Sequence, residues 1–307
     1  MVDPSAETAA RTDASGANTL LATKLYLPRL QPGFVARPRL LDQPGQALGR
    51  DLILVCAPAG FGKTALLADW ARQGRWPIAW LSLDAGDNDP ARFWRHVVAA
   101  LDPVCPGIAG HLGPLFGPPS PRAFEGLVAA LINELATGPD PMLFVLDDYH
   151  LIEAPQVHAS LGFLLEHRPL GLRLVLSSRA DAPLPLARLR GRGQLAELRA
   201  ADVRFTAAEA AELLREAAGP GGPGLTEAAV AALTARTEGW VAGLQLAALS
   251  LRGHGDPVSF VASFSGSHRY VLDYLTEEVL DRQPVEVRGF LLEPRCWTGS
   301  LVRCAMR

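Results

Sequence analysis

The sequence predicts an α/β fold, a parallel sheet with flanking helices, followed by an all-helical part. Three observations predict it. Short apolar runs alternate with stretches of helical period, the order of elements that builds a parallel sheet. The first run breaks into small residues, "APAGFGKT" at Ala57–Thr64, and then reads as helix. From Thr206 onward the patterns are helical.

The strands come first. Runs at Leu52 to Ala57, Ile78 to Leu83, Met142 to Leu146 and Leu172 to Ser177 are predominantly apolar, as expected of strands buried on both faces. "LAELRAADVRF" is a fifth candidate with less apolar character. In "TAAEAAELLREAAG", Thr206 is a cap and Glu209 follows at the third position, a capping box. The breaker "GPGGPG" separates this helix from the next, "TEAAVAALTARTEGW". No internal repeat of solenoid period is present.

Composition narrows the classes. A chain of 307 residues with 49% hydrophobic content is long enough for two or three compact domains. A net charge of -3 offers no basic excess for a nucleic-acid surface. No apolar run reaches the roughly 18 residues of a membrane span. The N-terminus, acidic and rich in Ala, Ser and Thr, lacks an apolar h-region and reads as a disordered tail, not a signal peptide. Cys56, Cys105, Cys296 and Cys304 show no metal-ligand spacing, and a reduced cytoplasmic setting is expected.

The stretch Ala57–Thr64 fits the Walker A pattern of a P-loop, with Ala57 where the commonest form has glycine. It leaves an apolar strand and enters the helical "TALLADWARQ", the context that motif needs. Gly60 and Gly62 allow backbone N–H groups to converge on a phosphate, Lys63 supplies a point charge, and Thr64 offers a hydroxyl to Mg²⁺. Of the 29 basic residues only Lys24 and Lys63 are lysine, so lysine at position 63 is informative.

"MLFVLDDYH" is an apolar strand ending in two carboxylates, a Walker B arrangement. Asp147 would hold Mg²⁺ through water and Asp148 would orient or deprotonate an attacking water. Without the P-loop, the same pair would read as a turn with a helix cap. A further strand ends in "LVLSSRAD", which leaves Arg179 either to sense a γ-phosphate or to be solvated at the surface. The run "ARLRGRG" reads as a solvated loop.

Seven landmarks now follow in order: "TKLYLPRLQPGFVARPRLL", "CAPAGFGKTALLADW", "AWLSLDAGDNDPARFWRHVVAAL", "FVLDDYHLI", "LVLSSRAD", "TEGWVAGLQLAALSL" and "FSGSHRYVLDYLTEEVL". From about Thr23 to Leu292 the chain resembles the large ATP-binding LuxR-type transcriptional regulators, the maltose-regulon-activator-like group of the STAND P-loop NTPases. The resemblance implies a P-loop NTPase domain, a small helical domain and a winged-helix domain that clamp ATP or ADP with Mg²⁺. In numbers these are a tail over 1–22, the NTPase domain over 23–204, the helical domain over 205–256 and a truncated winged-helix domain over 257–307. It implies that Val35, Arg37 and Arg39 lie on the base and ribose side. It also implies that Glu238 to Trp240 lie near the phosphates, although Trp240 by itself reads more simply as a core aromatic. The sensor repeats and DNA-binding helix-turn-helix of such regulators fall outside these residues, so DNA is expected as a partner only through them. Self-association in the ATP-bound form is implied, with no membrane partner.

The expected function is an ATP/ADP switch reset by slow hydrolysis, with Lys63 on phosphate, Thr64 and Asp147 on Mg²⁺, Asp148 on water and Arg179 on the γ-phosphate. The alternatives are an AAA-type ATPase motor in which turnover is the function, and a non-functional fragment. Resemblance collapses at Glu293, and 293–307 reads as a frameshift: Leu292–Arg307 can be encoded so that the displaced frame spells the usual continuation of such proteins.

Overall fold

The computed structural model describes residues 20–40, 49–74, 76–116, 123–218, 225–251, 257–266, 268–281, 283 and 285–292. The expected tail up to residue 19, the breaker at 219–224 and the frameshift reading of 293–307 lie outside the described residues. The chain divides into two compact units. One comprises Met1–Pro28, Ala47–Leu54 and Gln73–Ala196; the other comprises Arg29–Gln46, Val55–Arg72 and Glu197–Arg307.

The sheet has five strands: β1 (Leu52–Cys56), β2 (Ile78–Ser82), β3 (Met142–Asp147), β4 (Leu172–Ser178) and β5 (Leu195–Arg199), in the order β2-β3-β4-β1-β5. β2 pairs with β3 and β3 with β4, both parallel, with Ser82 beside Asp147 and Leu146 beside Leu176. Every residue of β1 and β3 is buried, which is why those strands are apolar without alternation. β5 is mostly half-buried, and its sequence is correspondingly mixed.

In the first unit, the helix Pro90–Leu101 starts at Asp89, whose side chain accepts from Arg92 N at 2.7 Å, with Pro90 in the first turn. It buries Phe93, Trp94, Val97, Val98 and Leu101. Trp94 donates its indole N–H to Ser160 Oγ at 3.0 Å, tying this helix to Pro155–His167. The run read as a solvated loop is in fact a helix, Leu186–Gly191. Leu186 and Leu189, three apart, turn inward while Arg188 pairs with Glu166 at 3.0 Å. The 3₁₀ turn Ala22–Leu25 carries a buried Lys24, paired with the fully buried Asp87.

The second unit contains the helices Ala207–Ala218, Glu227–Thr237, Val241–Leu251, Pro257–Ser263, Arg269–Leu275 and Val285–Leu292. Phe205, Leu214, Leu233, Leu244, Phe260 and Phe264 form its apolar core. The expected capping box is present: Thr206 N donates to Glu209 Oε2 at 2.8 Å, and Glu209 N to Thr206 Oγ1 at 3.3 Å. Glu238 and Gly239 both have left-handed backbone, φ 51° and 72°, and end one helix before the next begins at Val241. Gly239 is required there, because a Cβ would stand 2.5 Å from the Phe205 carbonyl oxygen. Among the described residues no helix is long and apolar enough to cross a membrane.

Candidate functional site: a glycine loop at a helix start

β1 ends at Cys56 and the helix Lys63–Arg72 begins seven positions on, with Gly60 and Gly62 at φ 76° and 73° between them. Those conformations cost an L-residue about 1–2 kcal/mol each, so the glycines are what permit the loop. Lys63 is buried, and its ammonium donates to the carbonyls of Ala57 at 2.8 Å and Pro58 at 3.1 Å. Leu66 N donates to Gly62 O at 3.0 Å and closes the first turn, which contains Thr64.

The carbonyls of the loop are held from within the same unit. Trp240 Nε1 donates to Ala59 O at 3.0 Å and Ala242 N to Gly60 O at 2.9 Å. Arg37 Nη2 donates to Gly62 O at 2.8 Å, and its Nη1 lies 3.5 Å from Phe61 O and 3.2 Å from Val203 O. The guanidinium is 1% exposed and sits over the Phe205 ring, 5.5 Å from its centre. Burial pulls its pKa down to about 10, against the opposing charge of Glu209. Burial likewise raises the Asp69 carboxyl on the following helix, opposed by Arg37 and Arg72. Around Gly60 there is no room: a Cβ would meet Trp240 Nε1 and Ala242 Cβ at 2.6 Å and Tyr274 Oη at 2.9 Å. That side of Gly60 is therefore packed by protein, and only glycine fits there.

The carboxylates belong to the first unit and form a group of their own. Asp147 is buried at the end of β3, and its carbonyl accepts from Leu83 N at 3.0 Å. Asp148 takes left-handed backbone, φ 59° and ψ 40°, which turns its half-exposed carboxylate out of the strand. His150 Nδ1 lies 3.8 Å from Asp148 Oδ1. Tyr149 is buried beneath, its hydroxyl 2.8 Å from His158 Nδ1, and burial pushes its phenol well above the usual range. Arg179 follows the last residue of β4, half-buried, at the same end of the sheet as Asp147.

The structure thus brings together Arg37, Ala57, Gly60, Gly62, Lys63 and Thr64 in one unit, and Asp147, Asp148 and Arg179 in the other. Val35 packs in the helical core, and Arg37 is engaged with loop carbonyls. Trp240 packs on that core, and its indole N–H reaches the loop at Ala59. Ala242 and Tyr274 were missed, and only the "EGW" run signalled their neighbourhood; His150 was missed beside the acidic pair that it follows. Among the described residues no group of three or more His, Cys, Asp or Glu could hold a metal ion.

No protein-family model matches the chain. It is 40% identical to the serine/threonine-protein kinase PknK of Mycobacterium tuberculosis over 276 residues, 88% of this chain and 24% of that protein. It is 36% identical to the HTH-type transcriptional regulator MalT of Serratia proteamaculans over 282 residues, 90% of this chain and 30% of that one. Among solved structures it is similar to the Walker-type ATPase PABY2304 of Pyrococcus abyssi, at TM-score 0.49 and 12% identity, covering 89% of this chain and 80% of that one. The chain spans about a quarter to a third of the length of the curated relatives it matches. Over 88–90% of its length it is a homologue of a segment present in PknK and in the LuxR-type MalT regulators, as its sequence landmarks indicated.

Proposed function

We propose that this chain is an ATP/ADP-binding switch module of a LuxR-type regulator of the STAND type. One observation carries the reading: left-handed Gly60 and Gly62 lead into a helix that begins at a buried lysine. The first N–H groups of a helix have no intrahelical partner, and they favour an anion at that end. Lys63 would bind the β- and γ-phosphates, and Thr64 and Asp147 would hold Mg²⁺, which supplies charge neutralisation on the phosphate oxygens. Asp148 would position water, with Arg179 reporting the γ-phosphate. MalT is named a transcriptional regulator, and we assign this chain the nucleotide-dependent part of such a role. We also assign 23–204 as its NTPase domain, 205–256 as a helical domain and the residues from 257 as part of a winged helix.

A switch works through different affinities of ATP and ADP for two conformations, not through flux. Calorimetry with ADP and ATP, followed by single-turnover hydrolysis, tests the reading. Binding of both with turnover well under about 1 per second is expected, whereas a motor should run at roughly 1–100 per second. Absence of nucleotide binding, or turnover in the motor range, overturns it.

A further inference from the structure

Four consecutive carbonyls of the loop, those of Ala59, Gly60, Phe61 and Gly62, face donors that lie outside it: Trp240 Nε1, the Ala242 N–H and the two terminal nitrogens of Arg37. Among the described residues the single cis peptide bond is Asp140-Pro141, so the loop peptides are trans. In a trans peptide the C=O of one residue and the N–H of the next point in opposite directions. Each fastened carbonyl therefore turns the N–H of the next residue, in turn Gly60, Phe61, Gly62 and Lys63, away from its donor. A nest of convergent N–H groups is the physical requirement for holding a phosphate oxygen. Gly62 O is also held by Leu66 N at 3.0 Å, but without the outside donors the glycine at 60 would leave the peptides of 59–61 free to rotate.

We propose that Trp240 and Arg37 are positioning residues that set the nest by capturing the loop's carbonyls, so that affinity for a β-phosphate depends on them although neither touches it. The inference rests on the nucleotide reading of the loop above. It assigns Arg37 a place behind the loop and gives Trp240 a role that ring packing alone does not require.

Trp240→Phe keeps an aromatic ring and removes the N–H donor. Calorimetry of ADP binding to the full chain should show about three- to tenfold weaker affinity, the usual weight of one hydrogen bond. Amide resonances of Gly60, Phe61, Gly62 and Lys63 in the nucleotide-free protein should shift or broaden, while the unfolding midpoint stays near wild type. Arg37→Lys, which retains charge but loses the fork, should weaken ADP to a similar degree. The double variant should lose less than the product of the two, because both act on one loop. ADP affinity and loop amides unchanged in Trp240→Phe overturn the proposal. A lowered unfolding midpoint with unmoved loop amides assigns Trp240 to packing and overturns it equally. If wild-type protein binds no ADP, the nucleotide reading falls, and the loop amides of the nucleotide-free variants still decide whether the carbonyls are captured.

Discussion

The ammonium of Lys63 donates to the carbonyl of Ala57, 2.8 Å away at the exit of β1, and to Pro58 at 3.1 Å. The lysine is thus buried and satisfied by its own loop, and a phosphate must exchange for those carbonyls. A phosphate meets the ammonium with full opposite charge where the carbonyls offer only dipoles, which favours the exchange.

Lys63→Ala should accordingly abolish ATP and ADP binding by calorimetry and leave the far-ultraviolet circular dichroism unchanged. Undiminished affinity in that variant would refute the P-loop assignment.

Two glycine substitutions should move stability in opposite directions. Gly60→Ala imposes φ 76° on an L-residue and drives a methyl to 2.6 Å from Trp240 and Ala242, so it should cost at least about 1–2 kcal/mol in urea denaturation. Gly162 lies inside the helix Pro155–His167 with nothing within 4 Å of the added methyl. Gly162→Ala should stabilise by about 0.4–1 kcal/mol, mostly by restricting the unfolded chain.

Four of the five strands were legible because burial on both faces leaves a predominantly apolar run, and β1, β2, β3 and β4 fall within a residue of their expected ends. The Thr206–Glu209 cap was legible for another reason: it is a local contact between residues three apart. The loop glycines and Lys63 carry their pattern in eight consecutive residues. What surrounds the loop was not legible. The contact from Trp240 to Ala59 spans 181 positions and depends on how the helices after Thr206 pack, which periodicity does not encode. Arg37 shows the same limit, since its contacts with the carbonyls of Gly62 and Val203 span 25 and 166 positions. The helix Leu186–Gly191 was obscured by its own charge, because Arg188, Arg190 and Arg192 mask the inward Leu186 and Leu189.

Asp148→Asn tests the catalytic half of the proposed function. Asn tolerates the left-handed conformation that Asp148 adopts at φ 59°, so the fold should be retained. ATP affinity should persist while hydrolysis slows by about 10²- to 10⁴-fold, the usual contribution of a positioned general base. Single-turnover assays with wild-type rates would move the role to another group.

The last prediction concerns the charge cluster around Asp87. This carboxylate is fully buried and contacts the ammonium of Lys24, His96 Nδ1 at 3.1 Å, Arg92 Nε at 3.6 Å and Asp84 N at 2.9 Å. The Asp84 carboxylate also reaches Lys24, at 3.2 Å. Burial pushes the Asp87 pKa up, but hydrogen bonds from His96, Lys24 and the Asp84 N–H outweigh it and hold the carboxyl below its usual range. A carboxylate depressed in the folded state stabilises above its unfolded pKa, near 3.9, and loses that contribution as pH falls through the lower folded value. Asp87→Asn leaves Lys24, 6% exposed, without its buried counter-charge and should cost about 3–5 kcal/mol at pH 7. The gap between wild type and variant in urea denaturation should stay nearly constant from pH 7 to about pH 5 and narrow below about pH 4. A gap that stays constant down to pH 2 would show that the depressed carboxylate is not its source.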